Sequence, residues 1–378
     1  MNTKIRESQF ELMRIISMLF IVLYHILVHG KIFEHATGSM SLFLAFVESL
    51  ILVHVNSFVL VSGYFQCKGK LKLGKAIKIN NMTWFYKVVM MLVLIATSLI
   101  AKPDIIIRLH TYLPIDYGTY WFINSYLILY LISPILNKII NSSSKKNLQK
   151  VILTLFIIIS VLSTVTRDVF YNTLTGRSLC TFILLYFIGA YIRNYPISDS
   201  YFMKPFSNNA KRLIYFSTYL FAAIMSTFCW LGYTYLHPLG AFANEVGSIL
   251  SFNHVSYASP IVIIQSIGYF LYFSTLNFKN KFINKVSSST LAVYLISENI
   301  FLREMIYDKI GLTKITNITI SLILEILIAT IVIFIICTLI EILREKIFRL
   351  IYNSKIAKKN RVFYQNYFKK LGLNIEWG

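Results

Sequence analysis

Arg14 and His25 lie eleven residues apart inside the first long apolar stretch, residues 10–29, where a lipid-facing helix has use for neither. At ~100° and ~1.5 Å per residue, a helix brings them within ~20° of one face and ~16 Å apart along its axis. Both then look toward the same interior at different depths. A central arginine costs roughly 2.5–3.5 kcal/mol even on the lenient insertion scale, so intramembrane ionisable residues face a bundle interior or a wet cavity. An imidazole titrates near neutral pH and a guanidinium is a permanent cation, so the pair suits the handling of a proton and an anion. Glu7, Glu11, Ser17 and His29 fall on or near the same stripe. The plainer alternative is a structural arginine that ties this helix to its neighbours, with His29 snorkelling at the interface.

A second candidate lies after the next apolar stretch. Residues 66–81 hold Lys68, Lys70, Lys72, Lys75 and Lys78 with Gly69 and Gly74, directly following Ser62-Gly63-Tyr64-Phe65. These lysines are either a topology signal touching lipid headgroups or point charges for an anionic cofactor. His25 and His29, one turn apart, have metal-ligand spacing, but only His54, Glu245, His254 and Glu298 offer a third ligand and none stands at an evident matching depth. No metal site is assigned. Cys67, Cys180, Cys229 and Cys337 show no ligand spacing and receive no chemistry.

The elements that must position these residues follow from composition. With 56% hydrophobic and 14% charged residues and a mean hydropathy of +0.64, the chain departs far from the ~25% charge of soluble proteins. It reads as an all-α integral membrane protein. Stretches able to cross ~30 Å of hydrocarbon occur at 10–29, 41–65, 82–101, 120–136, 151–166, 179–191, 213–235, 260–276, 290–302 and 318–342, the sixth and ninth being short. Ten spans with both termini cytoplasmic put 27 of the 37 Lys and Arg on the cytoplasmic side and 8 on the other, with Arg14 and Lys87 inside spans. Alternation of this kind is the positive-inside pattern. The net charge of +21 then reflects topology and anionic lipids, and calls for no nucleic-acid partner.

The first span carries Arg14 and His25 and no small-residue cleavage site, so it is expected to stay in the mature protein. Residues 1–343 form the expected transmembrane domain. Residues 344–378 form a basic, partly aromatic cytoplasmic tail, with Phe348, Tyr352, Phe363, Tyr364, Tyr367 and Phe368 suited to the inner leaflet. The segment 236–259 reads as an outside loop, no separate soluble catalytic domain is expected, and no internal repeat of the transporter kind is visible.

Four segments, in order, resemble the acyltransferase 3 family of integral membrane acyltransferases. Met13-Arg14-Ile15 to Leu23-Tyr24-His25 is similar to its arginine-to-histidine spacing, and Asn56 to Ser62-Gly63-Tyr64-Phe65 resembles its Ser-Gly-aromatic ending of the second span. Tyr120-Trp121-Phe122-Ile123 to Tyr130-Leu131-Ile132-Ser133-Pro134 resembles its Trp-Phe to Ser-Pro helix, and Val286 to Tyr294-Leu295-Ile296 its late Tyr-Leu-Ile segment. Two departures stand out. Ser297-Glu298-Asn299 follows the late segment where many members carry histidine, and the basic residues after the second span are all lysine where arginine is frequent.

The resemblance implies transfer of an acyl group, usually acetyl from acetyl-CoA, to a carbohydrate hydroxyl at a cell membrane. His25 is then the candidate base, with Arg14, Lys75, Lys78 and Ser62 holding the donor. Trp121, Tyr126 and Glu298 are candidates on the acceptor side, Glu298 also as a partner that orients His25. Partners are membrane lipids and a polysaccharide or lipid-linked glycan. A transporter or flippase of lipid-linked sugars, with Arg14 and His25 on a substrate or proton path, and a polysaccharide polymerase are the competing classes.

Overall fold

The computed structural model describes residues 7–112, 120–166, 175–309 and 320–352, and every regular element among them is helical. Backbone donors and acceptors cannot be left unpaired in lipid, and helices satisfy them within one segment. The main elements are α1 (Ser8–His29), α2 (Ser39–Ile51), α3 (His54–Gln66), α4 (Leu73–Ala96), α5 (Trp121–Ser142) and α6 (Lys145–Phe156), which continues through a π turn at Ile157–Leu162. After them come α7 (Leu179–Asn194), α8 (Asn208–Leu236), α9 (Ala241–Val255), α10 (Pro260–Ser274), α11 (Lys281–Ser287), α12 (Thr290–Ser297), α13 (Arg303–Lys309) and α14 (Ile320–Tyr352).

Seven helical segments among the described residues are long and apolar enough to cross a membrane. The sixth predicted span is the sixteen-residue α7, and the ninth is interrupted: α12 has eight residues and stops at Ser297. Glu298 and Asn299 break that span, because their side chains engage neighbouring elements and the backbone leaves helix geometry there. The second span is likewise two helices, α2 and α3, separated by Leu52 and Val53. The segment expected as an outside loop, 236–259, is largely helix α9, which packs on α8 and buries Phe252 and His254. α14 runs through Arg344 to Tyr352, so the first part of the expected tail is helical and its Phe348 meets Phe85, while residues 353–378, with the aromatics from Phe363 to Phe368, lie outside the described residues.

Helix starts are set by local chemistry. Ser144, Ser178, Ser207, Ser259 and Asn280 each accept a backbone N–H two or three residues on, satisfying donors that a first helical turn leaves free. α1 is the hub, packing against α2, α3, α10, α11, α12, α13 and α14, so residues around its circumference meet the whole bundle.

The tightest crossing is α3 on α7. A Cβ on Gly63 would lie 2.2 Å from the Tyr186 carbonyl oxygen, and one on Gly189 would lie 2.2 Å from that of Leu60. Small residues let membrane helices approach closely where apolar burial supplies no drive between them. Beside it, α2, α8, α9 and α10 share a buried polar cluster. His254 Nε2 is 3.1 Å from Glu48 Oε2 and its Nδ1 is 3.2 Å from Ser226 Oγ, while Gln265 Nε2 donates to the Ser49 carbonyl at 2.8 Å. Buried polar groups in such a bundle need these partners. Gly189→Ala should destabilise the α3–α7 crossing by about 1–3 kcal/mol, read as a lowered thermal transition of detergent-purified protein.

Candidate functional site

Arg14 and His25 line one cavity of about 470 Å³, as the shared α1 stripe requires. Lys75, Lys78, Ser62, Trp121 and Tyr126 line it too, so seven of the eight sequence-derived site residues come together. Glu298 is the eighth and does not line the cavity. It sits behind His25, at the break after α12.

At the Arg14 end, the guanidinium Nη1 lies 3.1 Å from both Glu11 carboxylate oxygens, and Glu11 Oε2 also accepts from Ser287 Oγ at 2.5 Å. Glu11 thereby ties α1 to the end of α11 while aiming Arg14. Lys75 Nζ rests 5.0 Å above the Tyr130 ring. Ser62 Oγ donates to the Phe58 carbonyl at 2.9 Å and stands 3.3 Å from the Tyr126 hydroxyl. A smaller recess of about 50 Å³ adjoins here, bounded by Arg14, Ser62, Lys75, Tyr126, Tyr130 and Tyr186. Glu341 and Glu345 face the same space, but Glu341 is answered by Arg344 through two contacts of 2.6 Å and by the Tyr86 hydroxyl at 2.6 Å. With Glu11 and Glu341 each facing an arginine, Lys75 and Lys78 outnumber the remaining Glu345 and leave this end cationic by one charge.

Between the ends the wall is mostly apolar, with Met18, Ile21, Val55, Phe58, Met82 and Phe122. The rise of α1 from Arg14 to His25 makes this passage ~16 Å long.

At the His25 end, Nδ1 lies 2.9 Å from Glu298 Oε1, and His29 Nε2 lies 3.4 Å from Glu298 Oε2. The His25 contact has ion-pair distance, but its angles fall short of a well-aligned hydrogen bond. Tyr307 completes the group: its hydroxyl is 3.4 Å from Glu298 Oε1 and its ring stacks on His29 at 5.2 Å. With Nδ1 turned to a carboxylate, Nε2 is the ring atom left to accept a proton. Among the described residues no group of three or more His, Cys, Asp or Glu is arranged to hold a metal ion.

Tyr257 and Arg177 at this end escaped the sequence reading, and His54 entered it only as a possible metal ligand; all three line the cavity. His54 Nδ1 is 2.6 Å from the Ile51 carbonyl and therefore carries the proton, so Nε2 accepts from the Tyr257 hydroxyl at 3.0 Å. Arg177 lies over the Trp121 ring at 5.4 Å, and Trp121 stacks on Tyr257 at 6.0 Å with 26° between planes. The signal for Arg177 was its charge on the side poor in Lys and Arg. For Tyr257 there was none, because it lies in a stretch that reads as loop.

A polytopic helical bundle enclosing a cationic recess, an apolar passage and a carboxylate-backed histidine defines the class: a membrane protein with an internal chamber. The chain belongs to the acyltransferase 3 family, whose acyltransferase-domain model matches residues 7–342, and this family points to a membrane acyltransferase. The transporter and polymerase readings gain no such support. No curated protein and no solved structure matches the chain significantly.

Proposed function

We propose that this protein transfers acetyl from acetyl-CoA to a hydroxyl of a cell-surface or lipid-linked polysaccharide, as a multi-pass protein of the cell membrane. The observation that carries this reading is a single cavity joining Arg14, Lys75 and Lys78 to a histidine whose Nδ1 faces a carboxylate. The 27-to-8 asymmetry of Lys and Arg supports cytoplasmic termini, and hence a cytoplasmic Arg14 end where acetyl-CoA is available.

Nucleotide phosphates are held at the cationic end, by Arg14 as a planar fork and by the lysines as point charges, with Ser62 offering its hydroxyl alongside. The narrow, apolar passage suits the extended arm that carries the thioester. The acceptor enters from the other end, where Trp121 and Tyr257 offer aromatic faces for a sugar ring and Tyr126 extends that wall inward. His25 Nε2 removes the hydroxyl proton as the oxygen attacks the thioester carbonyl, and Glu298 stabilises the imidazolium that forms. The tetrahedral intermediate collapses as its C–S bond breaks. His25 returns the proton to the departing thiolate, leaving an ester and free CoA.

Membranes incubated with radiolabelled acetyl-CoA should place label on carbohydrate. His25→Ala should lower that rate about 100-fold or more, and wild-type labelling by the variant would remove His25 from the mechanism. Glu298→Gln should reduce kcat by a smaller factor with KM for acetyl-CoA unchanged. Replacing Lys75 and Lys78 together by Gln should raise KM for acetyl-CoA about tenfold, equivalent to ~1.4 kcal/mol of binding, with kcat little altered. A fall in kcat alone would instead place the lysines at the reacting carbonyl.

A further inference from the structure

We propose that Arg177 makes this site selective for an acidic acceptor, a glycan bearing a carboxylate or phosphate close to the hydroxyl that is acylated. The proposal rests on the acyl-transfer reading for calling the ligand an acceptor. The anion preference rests on geometry alone.

Arg177 is held in place by its backbone. Gly176 has φ +68°, and a Cβ there would lie 2.3 Å from the Ala258 nitrogen, so the turn is pressed directly onto residues 257–258. The Tyr257 N–H donates to the Thr175 carbonyl at 3.1 Å, and Ser178 caps α7 by accepting from the Thr181 N–H at 3.2 Å. Arg177 is therefore clamped from both sides, between the start of α7 and the link from α9 to α10.

Its side chain lies on the stacked Trp121–Tyr257 pair, a flat aromatic wall beside a planar cation, in the cavity that also contains His25. The other cavity-lining arginine, Arg14, is paired with Glu11. Arg177 forms no ion pair among the described residues and is exposed at the cavity edge. Of the carboxylates in this part of the bundle, Glu48 is 3.1 Å from His254 and Glu298 is 2.9 Å from His25. A guanidinium presents parallel N–H groups matching the two oxygens of a carboxylate or phosphate, and stacking on an aromatic ring leaves that fork free at its edge. A sugar ring against the aromatic wall with its anion on Arg177 would keep a neighbouring hydroxyl in the same cavity as His25.

Purified protein titrated with trigalacturonic acid, trigalactose or a glycerol phosphate trimer, followed by tryptophan fluorescence, measures binding without turnover. At least one acidic trimer should bind tenfold or more tightly than neutral trigalactose, and the tighter acidic trimer identifies the anion. Arg177→Gln should abolish the preference, bringing the affinity for the acidic trimer down to that for trigalactose. Arg177→Lys should keep part of it, and serves as the test if the Gln variant does not fold. Equal wild-type affinity for acidic and neutral trimers, or a preference that survives Arg177→Gln, would overturn the proposal. In transfer assays the Gln variant should raise KM for the acidic acceptor at constant kcat, and an equal loss of kcat for acidic and neutral acceptors would also overturn it. If no acceptor takes up label from acetyl-CoA, the acyl-transfer reading fails while the binding preference can still be read.

Discussion

An ionised carboxylate inside a helical membrane bundle must have its charge answered by a partner, and Glu298 shows how far this one requirement shapes the protein. Its oxygens face His25 and His29 on α1 and the Tyr307 hydroxyl on α13. Two elements converge on one side chain. To deliver it, the ninth apolar stretch cannot run as a continuous helix. α12 ends one residue earlier, and Asn299 secures the break by donating to the Tyr86 carbonyl on α4 at 3.3 Å. The interruption that removes a membrane-length helix is thus the same feature that builds the histidine site.

A similar exchange of charge runs through the opposite end. Arg14 is the costly residue of α1, and Glu11, one turn earlier, makes it tolerable by sharing its charge while anchoring Ser287. Arg344 and Glu341 repeat the pattern on α14 with the Tyr86 hydroxyl as third member. These pairings account for most of the acidic groups near the recess and leave the lysines after α3 to set its sign. The mostly apolar wall between the two ends keeps them chemically separate.

The regular packing that encloses this chamber depends on close backbone approach. Gly63 and Gly189 bring α3 and α7 together, which fixes Ser62 and the flanking Tyr64 relative to α1. The cluster of Glu48, Ser49, Ser226 and His254 does similar work on the far side, joining α2 to α8 and α9 through hydrogen bonds where apolar contact gives little specificity.

Sequence alone determined the solvent of this protein, its helical class, the shared face of Arg14 and His25, and the family, since hydropathy, charge alternation and a fixed helical pitch are properties of local chain. It also picked out seven residues of the cavity wall, because four ordered motifs mark segments that face one interior. It overstated the continuity of the apolar stretches: hydropathy counts residues and is blind to a helix that stops to deliver a carboxylate. Tertiary structure alone decided that Glu298 stands outside the cavity and reaches His29 as well as His25, that the 236–259 segment folds largely as α9, and that Arg177, Trp121 and Tyr257 form one wall. Those three residues are 56 and 80 positions apart along the chain, and only the packing of α5 on α7 and of residues 257–258 on the turn at Gly176 brings them together.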